Sequence, residues 1–451
     1  MFYSNFLKSH LRDYILYFSI AILNNKTISY NDNGIMKDLF NKLFNLRTIE
    51  RSKPWSGEEN MKLTIKIKIV MIVLTILAVV TATLILYAKN TYGASLEVNL
   101  NMISSSENND IKLVKQEEEV IYLSNERNGD FKILAFTDMH FDGMDKKAMD
   151  KTMEEFLNAL EEERPDLVIF TGDIITAIFN QERAKTIADI METYGIYWCA
   201  ILGNHEGEHP LSFSRENLIK LWANTEKYPH CLVRSGPKDI FGYGNYVVNL
   251  LDPDHNLFQS LIFLDSGDYV AKEDGETLHI SEKSYDYIKA DQIEWYKEQI
   301  NKLPVGTKSS LFIHIPLCEY AIGWDAIYDE TSKTIRDTDD CKYFDGMQRE
   351  AVCCSEYNSG LFAVMLSLGS TQAVYCGHDH VNDYSISYKG IMLNYLQASG
   401  YSTYGWNEVT ETTTSVLEEQ SLQGYTILEM KTDGECRITR KRYRKDQITS
   451  N

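Results

Sequence analysis

Five times along this chain a short apolar run stops abruptly at a cluster of Asp, Asn or His. Phe131–Phe136 (FKILAF) ends at Thr137-Asp138-Met139-His140, and Leu167–Phe170 ends at Thr171-Gly172-Asp173. Ile196–Leu202 ends at Gly203-Asn204-His205-Glu206, Ser310–Ile313 at His314-Ile315-Pro316, and Ala373–Cys376 at Gly377-His378-Asp379-His380. Helix-period stretches, Lys146–Glu162 and Gln181–Tyr194, separate the first three runs. Strand, helix, strand, helix, strand is the signature of a parallel α/β sheet. Such sheets bind ligands at the carboxyl ends of their strands. The pattern therefore predicts one rim carrying Asp138, His140, Asp173, Asn204 and His205, joined by His314, His378 and His380. One such cluster alone is an ordinary turn or helix cap; three in register are not.

Five of the ten histidines sit in these clusters. Leaving His205 aside, the rim offers two Asp, one Asn and four imidazoles. Oxygen and imidazole donors without thiolate suit Mn, Fe, Zn, Co or Ni, and seven ligands fit two ions better than one. One shared Asp would bring two ions to about 3.5–4 Å, the spacing of two-metal hydrolases.

Asp138-x-His140, Gly172-Asp173, Gly203-Asn204-His205-Glu206, His314 and Gly377-His378-x-His380 resemble, in order, the five motifs of the calcineurin-like metallophosphoesterases. The resemblance covers about residues 131–430. FIHIPLCEY (312–320), GHDHVND (377–383) and the aromatic-glycine run at Gly400–Trp406 are similar to the branch holding plant "probable inactive purple acid phosphatase" proteins and fungal and bacterial relatives. The resemblance implies an α/β fold, a four-layer α/β/β/α sandwich. It implies one ion held by Asp138, His140, Asp173 and His380, and a second held by Asp173, Asn204, His314 and His378, with Asp173 bridging. It makes His205 the catalytic histidine and not a ligand. It also implies hydrolysis of a phosphate ester by metal-activated hydroxide. Purple acid phosphatases place a Tyr three residues after the bridging Asp; Thr176 stands there, so no iron–tyrosinate site is expected. Every expected ligand is present, which argues against an inactive site.

Charge separates the chain into two parts. Residues 1–130 carry 15 basic and 14 acidic residues, whereas 131–451 carry 30 and 51. The acidic body has no broad basic face, which excludes extended nucleic-acid binding. In the leader, Ile69–Ala88 is twenty residues without a charge, about 30 Å as a helix and long enough to cross a bilayer. Lys62, Lys66 and Lys68 precede it and only Lys89 follows closely, which keeps the N-terminus cytoplasmic and the body extracytoplasmic. The expected organisation is an N-terminal segment of uncertain status (1–60), a signal anchor or transmembrane helix (61–90), a linker or stalk (91–130) and a phosphoesterase domain (131–451). Met61 with its lysines reads as a natural beginning for the anchor; a cleaved signal would instead make the body secreted. The Ser/Asn/Glu/Lys-rich stretch 91–130 is expected to end in a short strand at Val120–Leu123.

All eight cysteines lie in the body, and Cys318, Cys341, Cys353 and Cys354 form a group able to staple one loop. Gly323–Cys354 is polar and reads as an insertion beside His314. Tyr401, Tyr404 and Trp406 are as suited to lining a pocket as to packing a corner. Glu206, Glu208 and His209 read as a loop at the mouth; His230, His255 and His279 read as surface or packing residues. The sequence thus points to a membrane-anchored dimetal phosphomonoesterase. A phosphodiesterase for nucleotides or lipid head groups is the alternative within the enzymes, and a non-catalytic metal-containing surface protein the alternative outside them.

Overall fold

The computed structural model describes residues 75–84, 86, 110–127, 129–142, 145–209, 211–271, 283–404 and 422–443. The chain divides into two units, Met1–Thr91 and Tyr92–Asn451. In the first, residues 75–84 and 86 are helical, with Ile76, Leu77, Val79, Val80, Leu84 and Leu86 exposed. Among the described residues no helix is long and apolar enough to cross a membrane. The rest of the expected anchor Ile69–Ala88, like residues 1–60, lies outside the described residues.

The second unit is built on two sheets. The strands in chain order are β1 (Ile111–Gln116), β2 (Val120–Asn125), β3 (Phe131–Phe136), β4 (Leu167–Thr171), β5 (Tyr197–Ile201), β6 (Tyr246–Leu251), β7 (Leu257–Phe263), β8 (Tyr269–Ala271), β9 (Lys283–Tyr285), β10 (Lys308–Phe312), β11 (Tyr328–Asp329), β12 (Thr334–Ile335), β13 (Cys341–Asp345), β14 (Thr371–Cys376), β15 (Ser385–Tyr388), β16 (Ile391–Tyr395), β17 (Gly424–Met430) and β18 (Cys436–Arg442). The helices are α1 (Lys146–Glu163), α2 (Asn180–Tyr194), α3 (Arg215–Trp222), α4 (Ala290–Lys302), α5 (Cys318–Ile327) and α6 (Leu361–Leu368). One sheet runs β18-β17-β3-β4-β5, the other β1-β2-β6-β7-β10-β14-β16-β15-β13. β3, β4 and β5 are parallel, as are β7, β10, β14 and β16.

Period-two alternation explains the layering. On β3, Phe131 meets Phe258 of the larger sheet, while Phe136 meets Phe156 of α1 edge-on. On the larger sheet Tyr246, Val248, Leu261, Phe263, Phe312 and Tyr375 join the core shared with β3–β5. Their neighbours Val247, Ile262, Leu311, Val374 and Cys376 face a second core with α4, α5 and α6. The order is helix, sheet, sheet, helix. Strands buried on both faces read as near-continuous apolar runs, which is why β4, the end of β3 from Ile133 and the end of β14 from Ala373 were visible in the sequence.

Two expectations need correcting. The stretch 91–130 is not a linker throughout, since β1 and β2 pair antiparallel and β2 continues the sheet parallel to β6. β1 is an edge strand with only Ile111 buried, so its sequence is as polar as a stalk. Gly323–Cys354 is not a free insertion either: Trp324, Ile327 and Cys341 are buried, and β13 closes the sheet edge on β15. The eight cysteines are free thiols here, and Cys318 Sγ donates to the Ser355 carbonyl at 3.4 Å.

Candidate metal centre

All eight residues expected at the rim come together at the carboxyl ends of β3, β4, β5, β10 and β14. Asp138 and His140 leave β3, Asp173 leaves β4, Asn204 and His205 leave β5, His314 leaves β10, and His378 and His380 leave β14. Fitting so many side chains into one rim bends the backbone. Asp138, His140, Asp173 and His378 all hold positive φ (53°, 47°, 49° and 77°), a conformation that costs a non-glycine residue roughly 1–3 kcal/mol. Gly172 is required by the same crowding: its φ is 94°, and a Cβ there would lie 2.6 Å from His314 Nδ1.

Two buried clusters result, Asp138–His140–His380 and Asp173–His314–His378. In the first, His140 Nε2 lies 3.1 Å from His380 Nε2, and His380 Nε2 is 3.5 Å from Asp138 Oδ1. In the second, His314 Nε2 lies 3.1 Å from both Asp173 Oδ2 and Asn204 Oδ1. Asp173 Oδ2 is also 3.7 Å from His140 Nε2, so one carboxylate oxygen faces both clusters. The His314 ring is set by its Nδ1, which donates to the Thr171 carbonyl at 2.8 Å and leaves Nε2 pointing inward. His380 Nδ1 is likewise turned outward, toward Thr403 Oγ1 at 3.2 Å and the Tyr404 carbonyl at 3.4 Å.

These residues fit a pair of cations. Among the described residues Asp138 Oδ1 and His378 Nε2 are buried without a hydrogen-bond partner, a costly state that a bound cation would relieve. Burial and the facing His380 push His140 down to about 3, and burial with His314 does the same to His378. Both rings therefore keep lone pairs free for a metal. Burial alone would lower His314, yet Asp173 and Asp138 push it up to about 9. Burial alone would raise Asp173, but His314 and His140 hold its carboxyl well below the usual range. The carboxylates want positive charge, and a proton on His314 supplies what a cation would.

His205 stands apart from the donors. Its Nδ1 pairs with Glu208 Oε2 at 2.6 Å, and its Nε2 lies 4.0 Å from Asp173 Oδ2. Its backbone N–H donates to Asp173 Oδ1 at 2.9 Å, tying the two residues together. Burial would lower the imidazole pKa, but Asp173 and Glu208 outweigh burial and raise it.

The structure revises several neighbours. Glu206 is not a solvated mouth residue: it is buried and accepts from the backbone N–H groups of Asp173, Ile174, Ile175 and Gly203. It thereby shapes the turn that carries Asp173. Tyr404 stacks on His380 (centroids 4.2 Å, 20°) and donates to Glu350, whereas Tyr401 is buried and stacks on Tyr443. Trp406 and His279 lie outside the described residues. His230 pairs with Glu192 and His255 faces Glu126, as expected of surface or packing residues. Sequence reasoning missed Tyr269, Tyr285, Glu350, Thr403 and Asp379. Asp379 alone had a visible cue, its place between His378 and His380; its carboxylate turns away to Tyr395 and the Cys353 N–H.

The Calcineurin-like phosphoesterase family model matches residues 131–382. "Probable inactive purple acid phosphatase 28" of Arabidopsis thaliana is 30% identical over 310 residues, covering 62% of this chain and 72% of that protein. "Phosphatase DCR2" of Saccharomyces cerevisiae is 31% identical over 284 residues, covering 57% of this chain and 45% of that protein. A solved dimetal phosphatase from Danio rerio is 11% identical with a TM-score of 0.39, covering 66% of this chain and 92% of that one. With the family model matched over more than half of its length, and two buried clusters of metal-binding residue types at the matching motifs, this chain belongs to the calcineurin-like phosphoesterase family.

Proposed function

We propose that the protein is a dimetal phosphomonoesterase anchored to a membrane, with its phosphoesterase domain outside the cytoplasm. The observation that carries the enzymatic reading is Asp173, whose single Oδ2 faces His314 at 3.1 Å and His140 at 3.7 Å between two buried donor clusters. Asp138, His140, Asp173 and His380 would hold one ion, and Asp173, Asn204, His314 and His378 the other. Bound there, the ions supply Lewis acidity, an activated water and neutralisation of the phosphoryl charge.

The chain's own residues do the rest. Asn204 offers a neutral carbonyl oxygen, which adds no negative charge against an anionic ester. Glu208 holds His205 Nδ1, so the protonated Nε2 points into the rim beside Asp173. From there it hands its proton to the departing ester oxygen, whose charge otherwise resists bond breaking. Glu206 keeps the Asp173 turn in place through its four backbone contacts.

The word "inactive" in the plant relative's name favours a second reading, a metal-containing protein without turnover. One assay separates the readings: the purified chain with p-nitrophenyl phosphate and bis-p-nitrophenyl phosphate, with added Mn, Zn or Fe. Hydrolysis of the first substrate supports the monoesterase and preferential hydrolysis of the second a diesterase. Two bound ions with no turnover of either would sink the enzyme. The exposed apolar side chains at 76, 77, 79, 80, 84 and 86 support the anchor; release of the chain from membranes by alkaline carbonate would refute it.

A further inference from the structure

β8 and β9 form a two-stranded ribbon standing apart from both sheets, and it brings two tyrosines to one half of the metal centre. Tyr269 and Tyr285 are direct cross-strand partners, with rings stacked at 5.7 Å and 28°. Tyr285 meets the His378 ring edge-on at 4.4 Å and 87°. Tyr269 reaches the other residue type in that half: its phenol oxygen accepts from Asn204 Nδ2 at 2.8 Å. The root of the ribbon is tied to the same half, because Ser266 Oγ accepts from the Ile315 N–H at 3.0 Å, one residue past His314.

We infer that Tyr269 is a positioning residue that fixes which end of the Asn204 amide faces the second ion. This rests on the proposal that Asn204 is a ligand. An asparagine amide has two ends of opposite polarity, and only its oxygen can bind a cation. Rotation by half a turn would aim an N–H pair at the ion instead. With Nδ2 held by the Tyr269 oxygen, Oδ1 is left 3.1 Å from His314 Nε2, inside the donor cluster. Outer hydrogen-bond partners of this kind are worth about 10–100-fold in metal affinity. Tyr269 acts on the second ion, because Asn204 and His378, the donors that the ribbon's two tyrosines touch, both belong to that half.

The test is titration of chelator-stripped full-length protein with Mn²⁺, followed by calorimetry and by electron paramagnetic resonance. Wild type is expected to take up two ions. Tyr269→Phe should bind one as wild type does and the other about 10–100-fold more weakly, while the melting temperature of the metal-free protein stays unchanged. A purely structural tyrosine would instead lower that melting temperature and weaken both ions together. The same substitution made on Asn204→Asp supplies the control, because a carboxylate presents an oxygen whichever way it turns. There Tyr269→Phe should change the second affinity less than about twofold, a non-additivity that contact partners show and distant residues do not. Equal binding by wild type and Tyr269→Phe, or an equal loss on both backgrounds, overturns the inference alone. A wild type that binds no Mn²⁺ overturns the dimetal reading, and this inference with it.

Discussion

The two halves of the candidate metal centre both face Asp173 but are braced by different parts of the chain. Around Asp138, His140 and His380 the support comes from late in the sequence: Thr403 and the Tyr404 carbonyl orient His380, and Glu350 holds the Tyr404 hydroxyl. Around Asn204, His314 and His378 it comes from the Thr171 carbonyl and from the β8–β9 ribbon. The first half is thus held by loops that pack onto the β14 end, the second by a strand terminus and a separate hairpin. Ligands of similar chemistry can therefore differ in how firmly they are held, and each half should be open to separate damage.

Asp173→Asn should do the greatest harm, because it strikes the one residue common to both halves. Loss of a shared anionic ligand removes several kcal/mol of charge stabilisation, about 10³–10⁵ in rate. Metal analysis should show both ions weakened; full retention of one ion would mean that the halves are independent of Asp173. Next comes His205→Ala, which removes a side chain counted among the donors of neither half. It should retain both ions and lose about 10²–10⁴ in kcat. An unchanged kcat would remove His205 from the reaction. Tyr404→Ala is expected to be milder still, weakening the first ion by about tenfold and sparing the second. That is the mirror image of Tyr269→Phe, so equal effects on both ions would dissolve the distinction between the halves.

The candidate ligands were legible for a reason that does not extend to their supports. Each of the seven donors and His205 lies within four residues of the end of a strand buried on both faces, and such strands announce themselves as apolar runs. The register of a parallel sheet then brings the strand ends together. Tyr269 sits on a three-residue strand and Glu350 in a loop, neither carrying a periodicity to read. Glu206 stood inside a recognised motif and was still misplaced as a mouth residue. The need of four backbone N–H groups for an acceptor is set by how two loops meet, not by local sequence. β1 was hidden by the opposite effect, an edge position that makes a strand as polar as a linker.

The smallest expected effect concerns the brace of the first half, and it is visible only as pH falls. Asp383 is buried three residues beyond His380. Its Oδ1 accepts from Arg349 Nη1 at 2.6 Å and from the Met347 N–H at 2.9 Å, and its Oδ2 accepts from Arg442 Nη2 at 3.0 Å. It thereby ties the loop bearing Glu350 to the loop bearing His380. Burial alone would raise its pKa, but Arg349 and Arg442 outweigh burial and lower it. A carboxyl whose folded pKa is depressed stabilises the fold fully above its unfolded pKa, about 3.9, and loses that contribution as pH falls through the lower folded value. Because both arginines are partly exposed, the contribution is about 2 kcal/mol and not the larger figure of a fully buried pair. Metal-free Asp383→Asn should melt below wild type by a constant margin from pH 7 to 5. The margin should shrink as pH drops below about 4, where the carboxyl of the unfolded wild-type chain takes up its proton while the folded one stays charged. A margin that stays constant to pH 3 would mean that the arginines do not select the charged form. The first half's two loops would then be tied by their other hydrogen bonds, from the Arg349 and Glu350 N–H groups to Asn382 and from the Val381 N–H to Glu350.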